Sequence, residues 1–229
     1  MSVPGTNVII DISHHNNVTS WKKLRQSEII AVIHKATEGA TYRDRTYNER
    51  KRRAVGEGFL WGSYHFSSGT DPISQVENYM EYAEPGDDEL ICLDYEPSFS
   101  GRNMSYDDMI AFVLEVKRWT GRYPVIYGGA LLREATRGRT GTVLTECPLW
   151  FARYNNRPYG IPDPWRIWTL WQYTDGNWGP EPHAVPGIGR CDRDTFNGSL
   201  ERLKEAWPLT HKVEEPVGLL VSDAAAATA

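Results

Sequence analysis

The segment ELICLDYE, residues 89–96, is the most informative part of the sequence for the fold, because it joins an apolar run to two carboxylates. An unbroken apolar run that ends in polar residues predicts a strand covered on both faces, as in parallel sheets. Residues two apart on a strand point in the same direction, so Asp94 and Glu96 are expected to project from one face. The segment therefore predicts a buried strand that brings two carboxylates to its carboxyl end.

Strands and amphipathic helices alternate on both sides of this segment, from the start of the chain to about Ala206. The strand candidates are residues 7–13, 29–37, 60–67, 89–96, 124–128, 149–154 and 169–173, and the helix candidates are residues 20–26, 44–56, 72–82 and 106–120. Such alternation implies parallel strands joined by crossovers. After Gly138 the helical patterns shorten. We predict an α/β fold, an irregular TIM-like barrel with helices mostly in its first half, over residues 1–208, followed by a tail at 209–229.

The composition favours one folded domain that has aromatic side chains to spare. Hydrophobic residues make up 40% of the 229 and aromatic residues 12%, which is enough for a substantial core and argues against disorder. Nine Trp and twelve Tyr exceed the needs of such a core and suit a carbohydrate cleft. Simple core packing is the alternative for about half of them.

The charge pattern argues against a nucleic-acid partner. The net charge is −5, and the one concentrated cationic run is RDRTYNERKRR at residues 43–53. We interpret that run as a solvated helix face, since nucleic-acid binding needs a basic stripe. We therefore expect no nucleic-acid binding, and we expect a monomer.

The cysteines and histidines form no recognisable metal or disulfide pattern. Three cysteines, at widely separated positions, give neither a disulfide framework nor a CxxC zinc pair, and Cys92 is interpreted as a small buried hydrophobic residue. No HExxH motif is present, so His34 and His65 are interpreted as hydrogen-bonded structural residues. We expect no metal and no cofactor, with a metal-dependent deacetylase or phosphodiesterase on a barrel as a minority alternative.

The amino terminus lacks the features of a secretory signal. MSVPGTNVIIDIS has no charged region followed by a long apolar region, and no segment approaches the roughly 20 apolar residues of a membrane span. No membrane insertion is expected. A protein that works outside the cell would then need a route other than a secretory signal.

The pair Asp94 and Glu96 suits glycoside cleavage. Two nearby carboxylates raise the pKa of at least one of them, and glycoside hydrolysis needs such an acid together with an anionic partner. A lone D-x-E more often lies on a solvated loop, but a strand end in a barrel is a functional position. Asp11 ends the first strand in the same manner and is either a turn cap or a third carboxylate of this site. No GxSxG, P-loop or GxGxxG motif supports other chemistries.

Aromatic residues follow two later strand candidates, as WFARY at 150–154 and WQY at 171–173. Aromatic faces stack on sugar rings, while Gln and Tyr bind hydroxyl groups. Barrel packing is the competing interpretation of these residues.

Nine motifs in order make the chain resemble glycoside hydrolase family 25, the muramidases of phage lysins and bacteria. They are IDIS at 10–13, Trp21, VIHKATEG at 32–39, GSYHF at 62–66, LDYEP at 93–97, PVIYGG at 124–129, LWFARY at 149–154, LWQYTDG at 170–176 and CDRDTFNG at 191–198.

The resemblance implies a barrel that hydrolyses the β-1,4 bond between N-acetylmuramic acid and N-acetylglucosamine with retention of configuration. It also implies action on the cell wall, by a protein that is made in the cytoplasm and released by a phage holin, a virion or a secretion system. By motif, Glu96 is expected to be the general acid/base and Asp94 to hold the substrate's N-acetyl group or to stabilise positive charge. Whether the acetamido group or Asp94 is the nucleophile stays open. Asp11 and Asp192 would complete the carboxylate cluster. The residues expected to bind sugars are Tyr64, Lys35, Tyr127, Trp171, Gln172 and Tyr154.

Two departures from the family pattern concern the loop after the first strand and the last motif. His15, Asn16 and Asn17 stand where the family often has Gln and Gly, which leaves the shape of that loop open. Asp194 stands where Asn is usual, and Asp192 is favoured as the catalytic residue by its spacing to Phe196. The alternatives to a muramidase are another barrel glycosidase acting on chitin-like polymers and a non-catalytic glycan-binding domain.

Overall fold

The structure, a computed structural model, describes residues 3–99 and 101–210. Its centre is a closed barrel in which consecutive strands pair around a ring and β1 meets both β2 and β11. The strands of the barrel are β1 (Thr6–Ile12), β2 (Ala31–Glu38), β4 (Leu60–Phe66), β5 (Leu90–Asp94), β6 (Val125–Gly128), β7 (Leu149–Ala152), β8 (Leu170–Thr174) and β11 (Asp192–Phe196). The three short strands beside it are β3 (Tyr42–Arg43), which pairs with β2, and the hairpin of β9 (Ala184–Val185) and β10 (Gly189–Arg190).

The barrel confirms the predicted α/β TIM-like fold and differs from it in one strand. From β1 to β8 each barrel strand is parallel to its neighbours, but β11 is antiparallel to both β8 and β1. The sequence DRDTF of this strand begins with three consecutive charged residues and lacks the apolar run of the parallel strands. That is why the sequence pattern did not predict it.

Complete helices cover the first half of the barrel, as predicted. The helices are α1 (Trp21–Arg25), α2 (Tyr47–Gly56), α3 (Pro72–Ala83), α4 (Tyr106–Thr120), α5 (Ala130–Thr136) and α6 (Leu200–Ala206), with a 3-10 turn at Val143–Glu146. The starts of α3 and α4 follow their local sequence, since Asp71 caps α3 ahead of Pro72 and Ser105 forms a capping box with Asp108.

The cationic run at residues 43–53 is less solvated than its sequence indicates. It begins in β3, turns at Asp44 and becomes α2 only at Tyr47. Arg50 is buried and donates hydrogen bonds to the carbonyl oxygens of Ser13 and Asn16 at 2.7 Å each. The prediction of a solvated face was therefore wrong for Arg50, because its guanidinium satisfies loop carbonyls that α2 covers.

Apolar side chains form one cluster inside the barrel and a larger one between the barrel and its helices. The inner cluster includes Ile9, Ile33, Leu90, Val125, Trp150 and Phe196, together with Leu203 from α6 and Leu209. Leu203 and Leu209 close the end opposite the carboxyl ends of the parallel strands. Leu209 is therefore packed, whereas residues 211–229, the rest of the predicted tail, lie outside the described residues.

The burial of Cys92 agrees with its interpretation as a small buried hydrophobic residue. Cys92, Cys147 and Cys191 are all buried, and Cys92 belongs to the inner cluster. Among residues 3–99 and 101–210, none of the helices combines the length and apolar character needed to cross a membrane.

Candidate active site

Carboxyl groups converge at the end of the barrel where the parallel strands finish. Asp11 lies near the end of β1 and Asp94 at the end of β5, with Glu96 two residues further. Because β11 runs in the opposite direction, its first residue lies at this end too, and Asp192 stands opposite Asp11 in the strand register. Period-two alternation directs these side chains inward with Asp194. The structure therefore brings together the four carboxylates expected from the sequence and adds a fifth.

Burial differs among these carboxyl groups. Asp11 and Asp94 are each 5% exposed and Asp194 is 0% exposed, whereas Glu96 and Asp192 are only half-buried. Oδ1 of Asp94 is buried and has no hydrogen-bond donor among the described residues. Glu96 and Asp192 are thus the members of the cluster that are most accessible from solvent.

The environment shifts the pKa of each carboxyl group upward. Burial raises the pKa of Asp94 well above its ordinary value, and the neighbouring Glu96 charge adds to the effect while Lys35 opposes it. Burial also raises the pKa of Glu96. At Asp192, burial and the nearby Asp11 raise the pKa to about 9. An acid able to donate a proton near neutral pH is therefore available at this site.

A hydrogen-bond network under the cluster fixes one amide. Gln172, 2% exposed, accepts hydrogen bonds at Oε1 from the hydroxyl groups of Tyr127 at 2.7 Å and Tyr154 at 2.9 Å. Its Nε2 donates to Oδ2 of Asp11 at 2.8 Å. Two donors at Oε1 leave only one orientation of the amide, so Gln172 holds Asp11 in place.

Lys35 and Tyr64 border the cluster on the side of β2 and β4. The Lys35 ammonium is 2.6 Å from Oε2 of Glu38 and lies 4.6 Å from the centre of the Phe66 ring. Tyr64 is half-buried, and burial together with the surrounding carboxylates raises the pKa of its hydroxyl group well above its ordinary value. Lys35 brings positive charge close to Asp94, where it opposes the rise in the pKa of that carboxyl group.

Trp171 does not reach the cavity, which corrects the expectation that it binds sugar. It is 0% exposed, packs in the outer cluster, and donates from Nε1 to the carbonyl oxygen of Arg153 at 2.7 Å. Because Gln172 faces inward on β8, its neighbour Trp171 must face outward. Trp150 on β7 faces inward instead, and its Nε1 donates to Oδ1 of Asp194 at 2.7 Å.

The predicted structural histidines are hydrogen-bonded and buried. Nδ1 of His34 lies 2.7 Å from the carbonyl oxygen of Lys35, and His65 contacts Thr37 at 2.8 Å and Gln75 at 3.1 Å. Both rings are 0% exposed, which confirms their structural interpretation. Within the described part of the chain, no group of three or more His, Cys, Asp and Glu side chains is arranged to hold a metal ion.

Backbone contacts place the segment that carries Glu96. The Tyr95 amide donates to the carbonyl oxygen of Tyr127, and the Tyr95 hydroxyl group donates to that of Met104 at 2.8 Å. A Cβ atom on Gly128 would lie only 2.9 Å from the Tyr95 carbonyl oxygen. Glycine at the end of β6 therefore lets the chain after β5 pack closely enough to direct Glu96 into the site.

Asp194 is the member of the cluster that motif reasoning set aside. A signal for it was present, because Asp192 and Asp194 repeat the i, i+2 spacing of Asp94 and Glu96.

The residues after the first strand, where the family pattern is broken, form a tight turn. The Asn16 amide donates to the Ser13 carbonyl oxygen at 3.0 Å, and the Arg50 guanidinium donates to the carbonyl oxygens of both Ser13 and Asn16.

Comparisons with known proteins agree with one another. The model of "Glycosyl hydrolases family 25" matches residues 10–180. Lysozyme M1 of Streptomyces globisporus is 28% identical over 208 residues, which cover 85% of this chain and 69% of that protein. Among solved structures, a muramidase from Trichobolus zukalii is 30% identical with a TM-score of 0.75 and covers 90% of this chain and 100% of its own. A bacterial lysozyme from Streptomyces coelicolor is 26% identical with a TM-score of 0.78 and covers 91% and 100%.

Proposed function

The chain belongs to glycosyl hydrolase family 25, and we propose that it is a peptidoglycan N-acetylmuramidase. Its bond is then the β-1,4 linkage between N-acetylmuramic acid and N-acetylglucosamine, and its place of action is the cell wall. The similar proteins named lysozyme or muramidase support this substrate. The observation that carries the proposal is the adjacent pair of Asp94 and Glu96 among further carboxyl groups at the open end of the barrel.

Glu96 is proposed as the general acid/base. Its half-buried position lets it touch a bound glycan, and its raised pKa keeps a proton available for the leaving oxygen. After the leaving sugar departs, the resulting carboxylate accepts a proton from the incoming water. The same residue thus serves both steps of a retaining reaction.

Asp94 is proposed to stabilise the reacting sugar from below. Asp94 ends β5 beside Glu96 and is 5% exposed, and the N–H of the substrate's acetamido group is a donor suited to a carboxylate. A hydrogen bond there would orient the acetamido oxygen toward the anomeric carbon. This arrangement supports a retaining, substrate-assisted reaction in which Asp94 does not itself attack.

The remaining expected residues divide into two groups. Tyr64, Tyr154 and Lys35 border the open side and are proposed to contact sugar rings and their polar substituents. Tyr127 and Gln172 are only 5% and 2% exposed, and their hydrogen bonds run to one another, to Tyr154 and to Asp11. They are proposed to support the carboxylates and to line the floor of the sugar site.

Digestion of purified peptidoglycan tests the proposal. Products are reduced with borohydride and identified by mass spectrometry for the wild type, for Glu96→Gln and for a matched control, Glu57→Gln, which changes an exposed residue after α2. We expect new reducing-end muramic acid from the wild type and the control, with a loss of about 10²–10⁴-fold in Glu96→Gln.

Three results would overturn the proposal. Reducing-end glucosamine would identify a glucosaminidase, whose glycan is shifted by one sugar in the site. Wild-type activity in Glu96→Gln would remove Glu96 from the role of acid. If neither protein cleaved peptidoglycan but the wild type cleaved chitin-like polymers, the chain would be a glycosidase of different substrate.

A further inference from the structure

Asp194 is a wholly buried carboxyl group one step deeper in the barrel than Asp11. In the register between β1 and β11, Asp192 pairs with Asp11, whereas Asp194 pairs with Ile9, two residues earlier on β1. Asp194 is 0% exposed and belongs to the floor of the site. It does not touch the open side where a glycan binds.

The hydrogen bonds of Asp194 are incomplete unless a carboxyl group beside it carries a proton. Its Oδ1 accepts a hydrogen bond from Nε1 of Trp150 at 2.7 Å. Its Oδ2 is buried and has no nitrogen or hydroxyl donor among the described residues. The group within hydrogen-bonding reach is the carboxyl of Asp11. Two carboxylates cannot hydrogen-bond to each other, so a hydrogen bond between these two groups requires that one of them carry a proton.

The hydrogen bonds of Asp11 indicate which oxygen carries that proton. Oδ2 of Asp11 accepts from Nε2 of Gln172, whose orientation is fixed by Tyr127 and Tyr154. Oδ1 is therefore the oxygen left to bear a proton and donate it to Oδ2 of Asp194. Trp150 can only donate, which favours the carboxylate form at Asp194.

We propose that Asp11 and Asp194 share one proton that resides on Asp11, so that Asp194 is the positioning residue that keeps Asp11 neutral. Asp11 then enters the reaction as an uncharged acid held between Gln172 and Asp194. The negative charge of the pair stays on the floor of the site, where Trp150 binds it. The inference rests on the proposed function only through the role of Glu96.

The ionisable groups around the pair are consistent with this assignment. Burial and the Asp194 charge raise the pKa of Asp11, and burial also raises that of Asp194, where the Trp150 hydrogen bond acts in the opposite direction. Asp192 faces Asp11 from the open side and itself has a pKa raised to about 9, so it donates to Asp11 without adding charge. The other titratable groups that interact electrostatically with the pair are Asp94, Glu96, Tyr64, Tyr127, Tyr154 and Cys92, together with Arg193, Tyr173 and Cys191, which lie toward the outer side of the barrel.

The protonation state of Asp11 matters because a charge on Asp11 would interact electrostatically with Glu96. In Asp194→Asn, Trp150 would hold the amide oxygen and turn the amide N–H toward Asp11, which then must accept and become a carboxylate. The pair keeps one negative charge, but that charge moves from Asp194 to Asp11, which interacts with Glu96, and it therefore raises the pKa of Glu96. In Asp11→Asn the new side chain is neutral, like the protonated Asp11 that it replaces, so the pKa of Glu96 should not change.

The pH dependence of kcat/KM on peptidoglycan distinguishes the two locations of the proton. We expect the alkaline limb of the profile to move up by about half a pH unit or more in Asp194→Asn and to stay in place in Asp11→Asn. Asp88→Asn, an exposed residue before β5, is the control. An unmoved limb in Asp194→Asn, with a limb lowered in Asp11→Asn, would put the proton on Asp194 and overturn the assignment.

Infrared difference spectra at neutral pH test the shared proton without any enzyme assay. The carbonyl band of protonated carboxyl groups should lose the same intensity in Asp11→Asn, in Asp194→Asn and in the double variant. No loss in either single variant would mean that both groups are ionised. A double variant that loses twice as much would mean that both are protonated. Either result overturns the proposal even if the muramidase assignment holds, and cleavage of another polymer leaves this test intact.

Discussion

The two ends of the barrel interior are built from opposite kinds of side chain. At the end closed by α6, Leu203, Leu209 and Phe196 pack with the inner apolar cluster and are 0–1% exposed. At the other end, five carboxyl groups share a site in which every one of their pKa values is raised. Burial of apolar side chains stabilises the closed end, whereas burial of the carboxyl groups at the other end disfavours their charged forms. Folding energy gained at the closed end thus supports an active site that is unfavourable by itself.

Asp94→Asn is expected to produce the largest effect, and it should separate activity from stability. Losing the charge under the reacting sugar should lower kcat by about 10³-fold, since such electrostatic contributions act mainly in the transition state. The thermal midpoint should stay level or rise, because a buried carboxyl group beside Glu96 becomes neutral. Turnover and calorimetry of the same sample measure both.

Asp88→Asn serves as the control at the opposite end of the same strand, where the residue is exposed. A large fall in the thermal midpoint of Asp94→Asn would contradict the comparison, because it would show that the carboxylate contributes to folding.

Leu203→Ala tests the closed end and should show the reverse pattern. Leu203 is 0% exposed inside the barrel, so its truncation should lower the free energy of unfolding by about 2–4 kcal/mol. Activity per folded molecule should change little, since the side chain lies at the end away from the carboxylates. Denaturant titration and assays well below the unfolding midpoint measure the two quantities.

Leu114→Ala, on the exposed face of α4, is the matched control and should cost far less stability. A strong loss of kcat in folded Leu203→Ala would show that the two ends are not independent.

Asp192→Asn should give the smallest effect, a stability gain that depends on pH. The pKa of Asp192 is raised from 3.8 to about 9, so between these values the folded protein keeps a proton that the unfolded chain has lost. Stability contributed by this group therefore falls as pH rises through that window. The variant should have a thermal midpoint about 2–4 °C above the wild type at pH 8 and nearly equal to it at pH 4. An equal gain at both pH values would refute the cause.

Local sequence patterns were enough to predict the parallel strands of the barrel and the strand ends that carry most of the site residues. The apolar runs before Asp11, Asp94 and Lys35 specify strands covered on both faces, and the polar residue after each run lies at the carboxyl end by geometry. The capping residues Asp71 and Ser105 likewise placed the starts of α3 and α4. These features depend on residues close together in the chain.

The closure of the barrel and the contacts of each inward-facing residue became visible only in three dimensions. The strand β11 has no apolar run, and its antiparallel pairing with β1 and β8 is what carries Asp192 and Asp194 to the same end as Asp11. The outward turn of Trp171 and the network from Tyr127 through Gln172 to Asp11 follow from that closure. Their partners are far apart in sequence, and local periodicity holds no information about which strand comes to lie beside which.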